Sequence, residues 1–140
     1  MANEIDLNGR VVESFSKSFL LKKYNKPVPI PAFHREIWDL CCGLDKRVAI
    51  AAPRNHAKST AITHAFLLAN VLFRKARYVL IVSETETQAS NFLMDIKAEL
   101  LENVDLQDMF AIKRLVKDSV TDIIVEMFDG WKFRITAQGA

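Results

Sequence analysis

The stretch "VAIAAPRNHAKST" at residues 48–60 constrains this chain more than any other. Val48, Ala49, Ile50 and Ala51 are small or branched and apolar, and they run up to Pro53. A polar turn then leads to Lys58, Ser59 and Thr60. Strand, loop and helix are thus packed into one short unit. The strand has no polar face, so it suits the middle of a parallel sheet covered on both sides. The helix beyond it, residues 58–75, is apolar over most of its circumference, as a helix wedged against such a sheet would be.

The flanking sequence supplies the rest of such a fold. Residues 1–8 form a loose arm. Residues 10–23 place Val11, Val12, Phe15, Phe19 and Leu20 near one face of a helix, with Lys17, Lys22 and Lys23 elsewhere. "NKPVPIP" stops that helix, because its prolines remove amide donors and favour an extended linker. A second helix is predicted over residues 32–42, with Phe33, Ile37, Leu40 and Cys41 facing inward and Gly43 as its C-terminal cap. "RYVLIVSETE" predicts a strand at residues 78–82. A helix follows at residues 88–103, with Ala89, Phe92, Leu93, Ile96 and Leu100 on one side and Thr85 or Thr87 as its cap. Strand-helix-strand-helix at this spacing predicts right-handed parallel crossovers. The tail follows a different pattern. There "DIIVEMF", Asp129-Gly130 and "WKFRIT" predict a β-hairpin with a tight Asp-Gly turn.

Composition narrows the class. At 140 residues the chain can bury a real core. Half of it is apolar and 26% is charged, the ordinary balance of a globular protein. A net charge of +2 neither demands nor excludes a nucleic-acid partner. Cys41 and Cys42, the only cysteines, are adjacent, which points to a reduced, cytoplasmic setting. The polar N-terminus is no signal peptide, and the apolar run at residues 61–73 is too short to span a bilayer. The chain closes on "TAQGA", small and loop-like, an ending that reads as an interruption rather than a finished domain.

The polar turn at residues 52–60 has a specific chemistry. In the phosphate-binding pattern G-x-x-x-x-G-K-[ST], inward backbone amides and a helix N-terminus hold phosphate oxygens, while a lysine neutralises them and a hydroxyl reaches Mg²⁺. Lys58 and Ser59 occupy the last two positions, and Ala52 and Ala57 replace both glycines. Arg54 offers a second cation for the γ-phosphate. The bland alternative is a helix N-terminus capped by Asn55.

"APRNHAKST" resembles the variant Walker A loop of the large terminase subunits of tailed bacteriophages, in which an arginine precedes the lysine-serine/threonine core. "PIPAFHREIWDLC" is similar to the segment that leads into that family's ATPase core and helps hold adenine. "YVLIVSETETQASNFLMDIKAELLEN" resembles its second strand and following helix, and "WKFRITAQGA" the hairpin ahead of its Walker B strand. The likeness covers residues 29–140. It implies an α/β P-loop NTPase of the ASCE type: a parallel sheet flanked by helices, with an N-terminal arm and helix at residues 1–28 and a C-terminal β-hairpin. The ATPase domain at residues 29–140 would be partial, truncated before Walker B. In the family an RNase H-like nuclease domain follows.

The resemblance assigns ATP and Mg²⁺ as cofactors and Lys58 and Arg54 as catalytic. Arg54, Asn55, His56, Ala57, Lys58, Ser59, Thr60, Phe33 and His34 would contact nucleotide, and Ser59 would hold the metal. Double-stranded DNA, a portal protein and a small terminase subunit are the implied partners. The motor would be a homo-oligomer in the host cytoplasm, docked transiently on the procapsid and away from membranes. The family's Walker B carboxylates have no counterpart here, so little hydrolysis is expected from this chain alone. Two segments imitate that motif, "VLIVSE" ending at Glu84 and "IIVE" ending at Glu126. Glu84 suits a kinase-like arrangement or a loop near nucleotide or DNA, and strand alternation puts Glu126 on a solvent face.

Other residues carry two readings each. Phe33 is an adenine contact or a core anchor, and His34 an adenine partner or a surface residue. His64 reads as a satisfied core or interface histidine, and Trp38 and Trp131 as packing residues. Arg74, Lys75 and Arg77, like Arg35, Lys46 and Arg47, either grip DNA or merely complement helix ends. Competing functions are a helicase-like motor, a small kinase and a non-catalytic interaction module.

Overall fold

A computed structural model describes residues 7–20, 32–43 and 64–140, with side chains in the second stretch from His34 onward. The chain divides into two units, Met1–Phe73 and Arg74–Ala140.

In the first unit, α1 (Gly9–Phe15) runs into a π-helical turn at Ser16–Leu20. The side-chain oxygen of Asn8 accepts from the Val11 amide at 3.0 Å, satisfying a donor that the helix start leaves orphaned. Val12, Phe15 and Leu20 are buried, as their spacing predicts. Helix α2 (Ala32–Cys42) has the predicted bounds, and the Gly43 amide closes its last turn on the Leu40 carbonyl. Its inner face is rotated from the predicted one. Ile37 and Trp38 are buried, Cys41 is only partly covered, and Leu40 is 50% exposed. His34, Ile37, Trp38 and Cys41 form one i, i+3, i+4, i+7 stripe, and the large Trp38 ring decides which stripe goes inside.

Gly9 fixes how α1 meets α2. Its amide donates to Asp39 Oδ1 at 2.7 Å, and a Cβ there would lie 2.7 Å from the Arg35 carbonyl oxygen. Only glycine permits that approach. Arg35 Nε donates to Glu13 Oε2 at 2.6 Å and Lys17 reaches Glu13 Oε1 at 3.1 Å, adding a polar clasp between the helices. Helix α3 (Leu67–Leu72) buries Leu67, Leu68, Ala69, Val71 and Leu72, which is the all-round apolar character predicted for it. His64 is buried just ahead of it.

The second unit is α/β. Strand β1 (Tyr78–Ser83) leads to α4 (Glu86–Glu102), capped by Thr85, whose Oγ1 accepts from the Gln88 amide at 3.1 Å. A short helix α5 (Val104–Phe110) follows, then β2 (Ile112–Asp118), β3 (Asp122–Met127) and β4 (Lys132–Gly139). The sheet order is β1-β4-β3-β2. β1 and β4 are parallel, while β2-β3 and β3-β4 are antiparallel. The sheet is therefore mixed rather than parallel: the expected C-terminal hairpin is part of it as β3-β4, and β1-β4 is its parallel pair. Adjacent strands in the chain pair as hairpins here, and only the β1-β4 connection is long enough for a parallel crossover.

One sheet face is dry. Ile81, Ile123, Val125, Met127, Phe133, Ile135 and Ala137 are buried on it, and Ala89, Leu93, Ile96 and Leu100 of α4 are buried too. α4 packs along β4 and β1. Each fully buried aliphatic side chain contributes about 1.5–3 kcal/mol. The β3-β4 connection differs in detail from the predicted tight turn. Phe128, Asp129 and Gly130 form a three-residue loop, with Met127 N donating to Trp131 O at 2.8 Å and Gly130 at φ 92°. A glycine at positive φ is what this longer hairpin requires.

Candidate functional site

The residues that the loop chemistry singles out, Arg54, Asn55, His56, Ala57, Lys58, Ser59 and Thr60, lie outside the described residues, as do residues 48–51, for which a strand is predicted. Phe33 belongs to α2. His34, on the same helix, is buried, with its ring centroid 5.9 Å from that of Trp38. It is a packing residue rather than a surface one. Trp38, 2% exposed, is likewise a core residue. Cys41 and Cys42 are free, and burial raises both thiols, Cys42 to about 11 with help from Cys41 and Asp39. Thiols raised in this way are poor nucleophiles at neutral pH.

The two carboxylates that imitate a Walker B end sit in unlike places. Glu84 is exposed in the bend between β1 and α4. Glu126 lies on the open face of the sheet, but its side chain is only 13% exposed. Arg114 Nε donates to Glu126 Oε1 at 3.1 Å, and Lys113 and Lys132 each stand 3.7 Å from its oxygens. The hydrogen bond from Arg114 is the main reason this carboxyl is held below its usual range.

Asp122 is a second, deeper acidic centre on the same face. Its Oδ1 accepts from Arg134 Nε at 2.9 Å and from Thr136 Oγ1 at 3.2 Å. Its Oδ2 accepts from the second Arg134 nitrogen at 2.6 Å and from Lys117 Nζ at 2.7 Å. The Arg134 fork is bidentate, the strong form of a charge-assisted pair. Chiefly through that fork, and then through Lys117 and Thr136, the Asp122 carboxyl stays ionised far below the usual carboxylate range despite its burial.

Strand β2 owes this arrangement to two irregularities. Its register with β3 shifts between Ile112 and Arg114 and again between Leu115 and Lys117. Plain alternation would separate Lys113 from Arg114 onto opposite faces. The first shift lets both reach Glu126, and after the second Lys117 reaches Asp122.

Near the β3-β4 loop, Trp131 carries the Arg77 guanidinium at 4.0 Å from its ring centroid and that of Arg74 at 5.2 Å. Arg74 also pairs with Asp129 and donates to Met127 Sδ at 3.7 Å. Arg74 and Arg77 therefore work inside the second unit, clamping the hairpin loop by cation–π contact.

Among the described residues, no group of three or more His, Cys, Asp or Glu is placed to hold a metal ion. Among them, too, no helix is long and apolar enough to cross a membrane. Compared with known proteins, the chain matches no family model, no curated protein and no solved structure.

The charged sheet face escapes a reading of the sequence because β2, "IKRLVKD", lacks period-two alternation. Asp122 and Glu126 are the two charged residues of the apolar strand "DIIVEM", and they were the signal available: carboxylates in a strand that is largely buried need partners.

Proposed function

We propose that the chain is the nucleotide-binding part of a DNA-packaging motor of the phage large-terminase kind, an ATPase of the P-loop class. The observation that carries this reading is the order of residues: Lys58-Ser59 where a helix is predicted to start, behind the wholly apolar residues 48–51, with Arg54 early in the intervening segment. The α/β class of the second unit is the fold class to which such loops belong, which supports the reading at that level. Lys58 and Arg54 would stabilise charge on the γ-phosphate, Ser59 would hold Mg²⁺, and the amides of residues 55–59 would cradle the phosphates. The bound nucleotide supplies the phosphoryl group whose release drives the motor. Phe33 and His34 would contact the adenine. Duplex DNA, a portal protein and a small terminase subunit are the proposed partners of the assembled homo-oligomer.

Thermal melts with different nucleotides test this. Ligand at a hundredfold above Kd adds about 2.7 kcal/mol to stability, which raises the midpoint by roughly 5–10 °C. Mg²⁺ with ATP or ADP should give that shift, and Mg²⁺ with AMP should not, because the loop's cations read the outer phosphates. Equal shifts with AMP, or none with any nucleotide, would refute the assignment.

A further inference from the structure

Among the described residues, the open face of the sheet in the second unit carries more cations than carboxylates. Lys113, Arg114 and Lys132 share Glu126, and Lys117 and Arg134 share Asp122. Five cations around two carboxylates leave three positive charges uncompensated in this cluster. The carboxylates form its floor, with side chains 13% and 8% exposed, while the cationic side chains rise above them at 46–63%.

If the cluster served only to tie strands together, one cation per carboxylate would do. The extra cations repel one another at spacings of one to three residues along a strand and two strand spacings across, within about 10 Å. That arrangement lowers stability unless an anion covers it. The ion pairs below also hold the long side chains in place, so less conformational entropy is lost when the outer ends meet phosphate.

The geometry points to this face, formed by Lys113, Arg114, Lys117, Lys132 and Arg134, as a docking surface for the phosphate backbone of duplex DNA. The contact is sequence-independent, since a flat sheet face presents charge but no element that enters a groove. It deepens the proposed DNA partner and rests on that reading only for the choice of duplex. It also moves the contact from the basic runs at helix ends to the sheet, because Arg74 and Arg77 are already engaged with Trp131.

Fluorescence anisotropy of the 140-residue chain with a labelled random-sequence duplex, without nucleotide, tests the surface. Neutralising about three phosphates predicts a slope of roughly −2.7 in log K against log salt. The variant K113Q/R114Q/K132Q should weaken binding at least tenfold at about 0.1 M salt and flatten the slope by about one unit for each phosphate no longer neutralised. E126Q should tighten binding two- to threefold, which a purely structural ion pair would not do, and it needs no cation removed should the triple variant fail to fold. K75Q, which removes none of the five cations of the cluster, should bind like wild type. Wild-type affinity in the folded triple variant, loss in K75Q alone, salt-independent binding, no binding by wild type, or unchanged affinity in E126Q would overturn the proposal. ATP titration of the same variants reports separately on the nucleotide site, so the surface can fail while that site stands.

Discussion

Asp122 shows how one residue can set the electrostatics of a sheet face. It is buried, yet Arg134, Lys117 and Thr136 give its two oxygens four hydrogen bonds. Asp122→Asn should therefore cost about 2 kcal/mol, because the Arg134 fork loses its charged acceptor while remaining half in water. The sign with pH follows from the depressed carboxyl. Its stabilisation is fully present above the ordinary carboxylate range and is lost as pH falls through the lower folded value. Urea melts of wild type and Asp122→Asn should show a constant gap above about pH 5 that narrows below about pH 4. A gap that holds steady or widens on acidification would contradict the assignment. The sequence offered little warning of this network, because a residue's partners across strands depend on register, and register in β2 is broken twice.

At the scale of elements, legibility followed regularity. α2 and α4 could be placed within a few residues because an apolar stripe and a capping threonine mark them. The short α5 was not predicted. Its N-cap Asn103 accepts from the Leu106 amide, but it buries only Leu106, so it leaves no periodic trace. α5 ends on Ala111, which adopts the left-handed conformation at φ 53° without being glycine. That conformation costs an L-residue about 1 kcal/mol, and glycine relieves it. Ala111→Gly should accordingly stabilise the protein by about 0.5–1 kcal/mol, read as a higher urea midpoint at unchanged slope. A lower midpoint would show that the strain is absent or that the methyl is needed. Strand direction was the other illegible property at this scale. The Asp129-Gly130 turn announced the β3-β4 hairpin, but nothing in the composition of β1 says that it pairs with β4, or in that of β2 that it pairs with β3, and those pairings made the sheet mixed.

At the scale of the molecule, the chain has one unit whose described residues are helical and fastened by Gly9, Glu13 and Arg35, and one α/β unit with a dry face and a cationic face. The α/β class was legible because strand and helix periods alternate. The cationic face was not, since the five cations come from β2 and β4 and meet only through pairing with β3. The nucleotide loop is the reverse case: its chemistry is plain in the order of residues 48–60, and those residues lie outside the described ones. The central claim is that Lys58 binds the phosphates of ATP. Isothermal calorimetry with ATP and Mg²⁺ on wild type and Lys58→Ala tests it most directly. Wild type should bind saturably at one site, and the variant at least tenfold more weakly, about 1.4 kcal/mol or more. Equal binding by both proteins, or binding by neither, would contradict it.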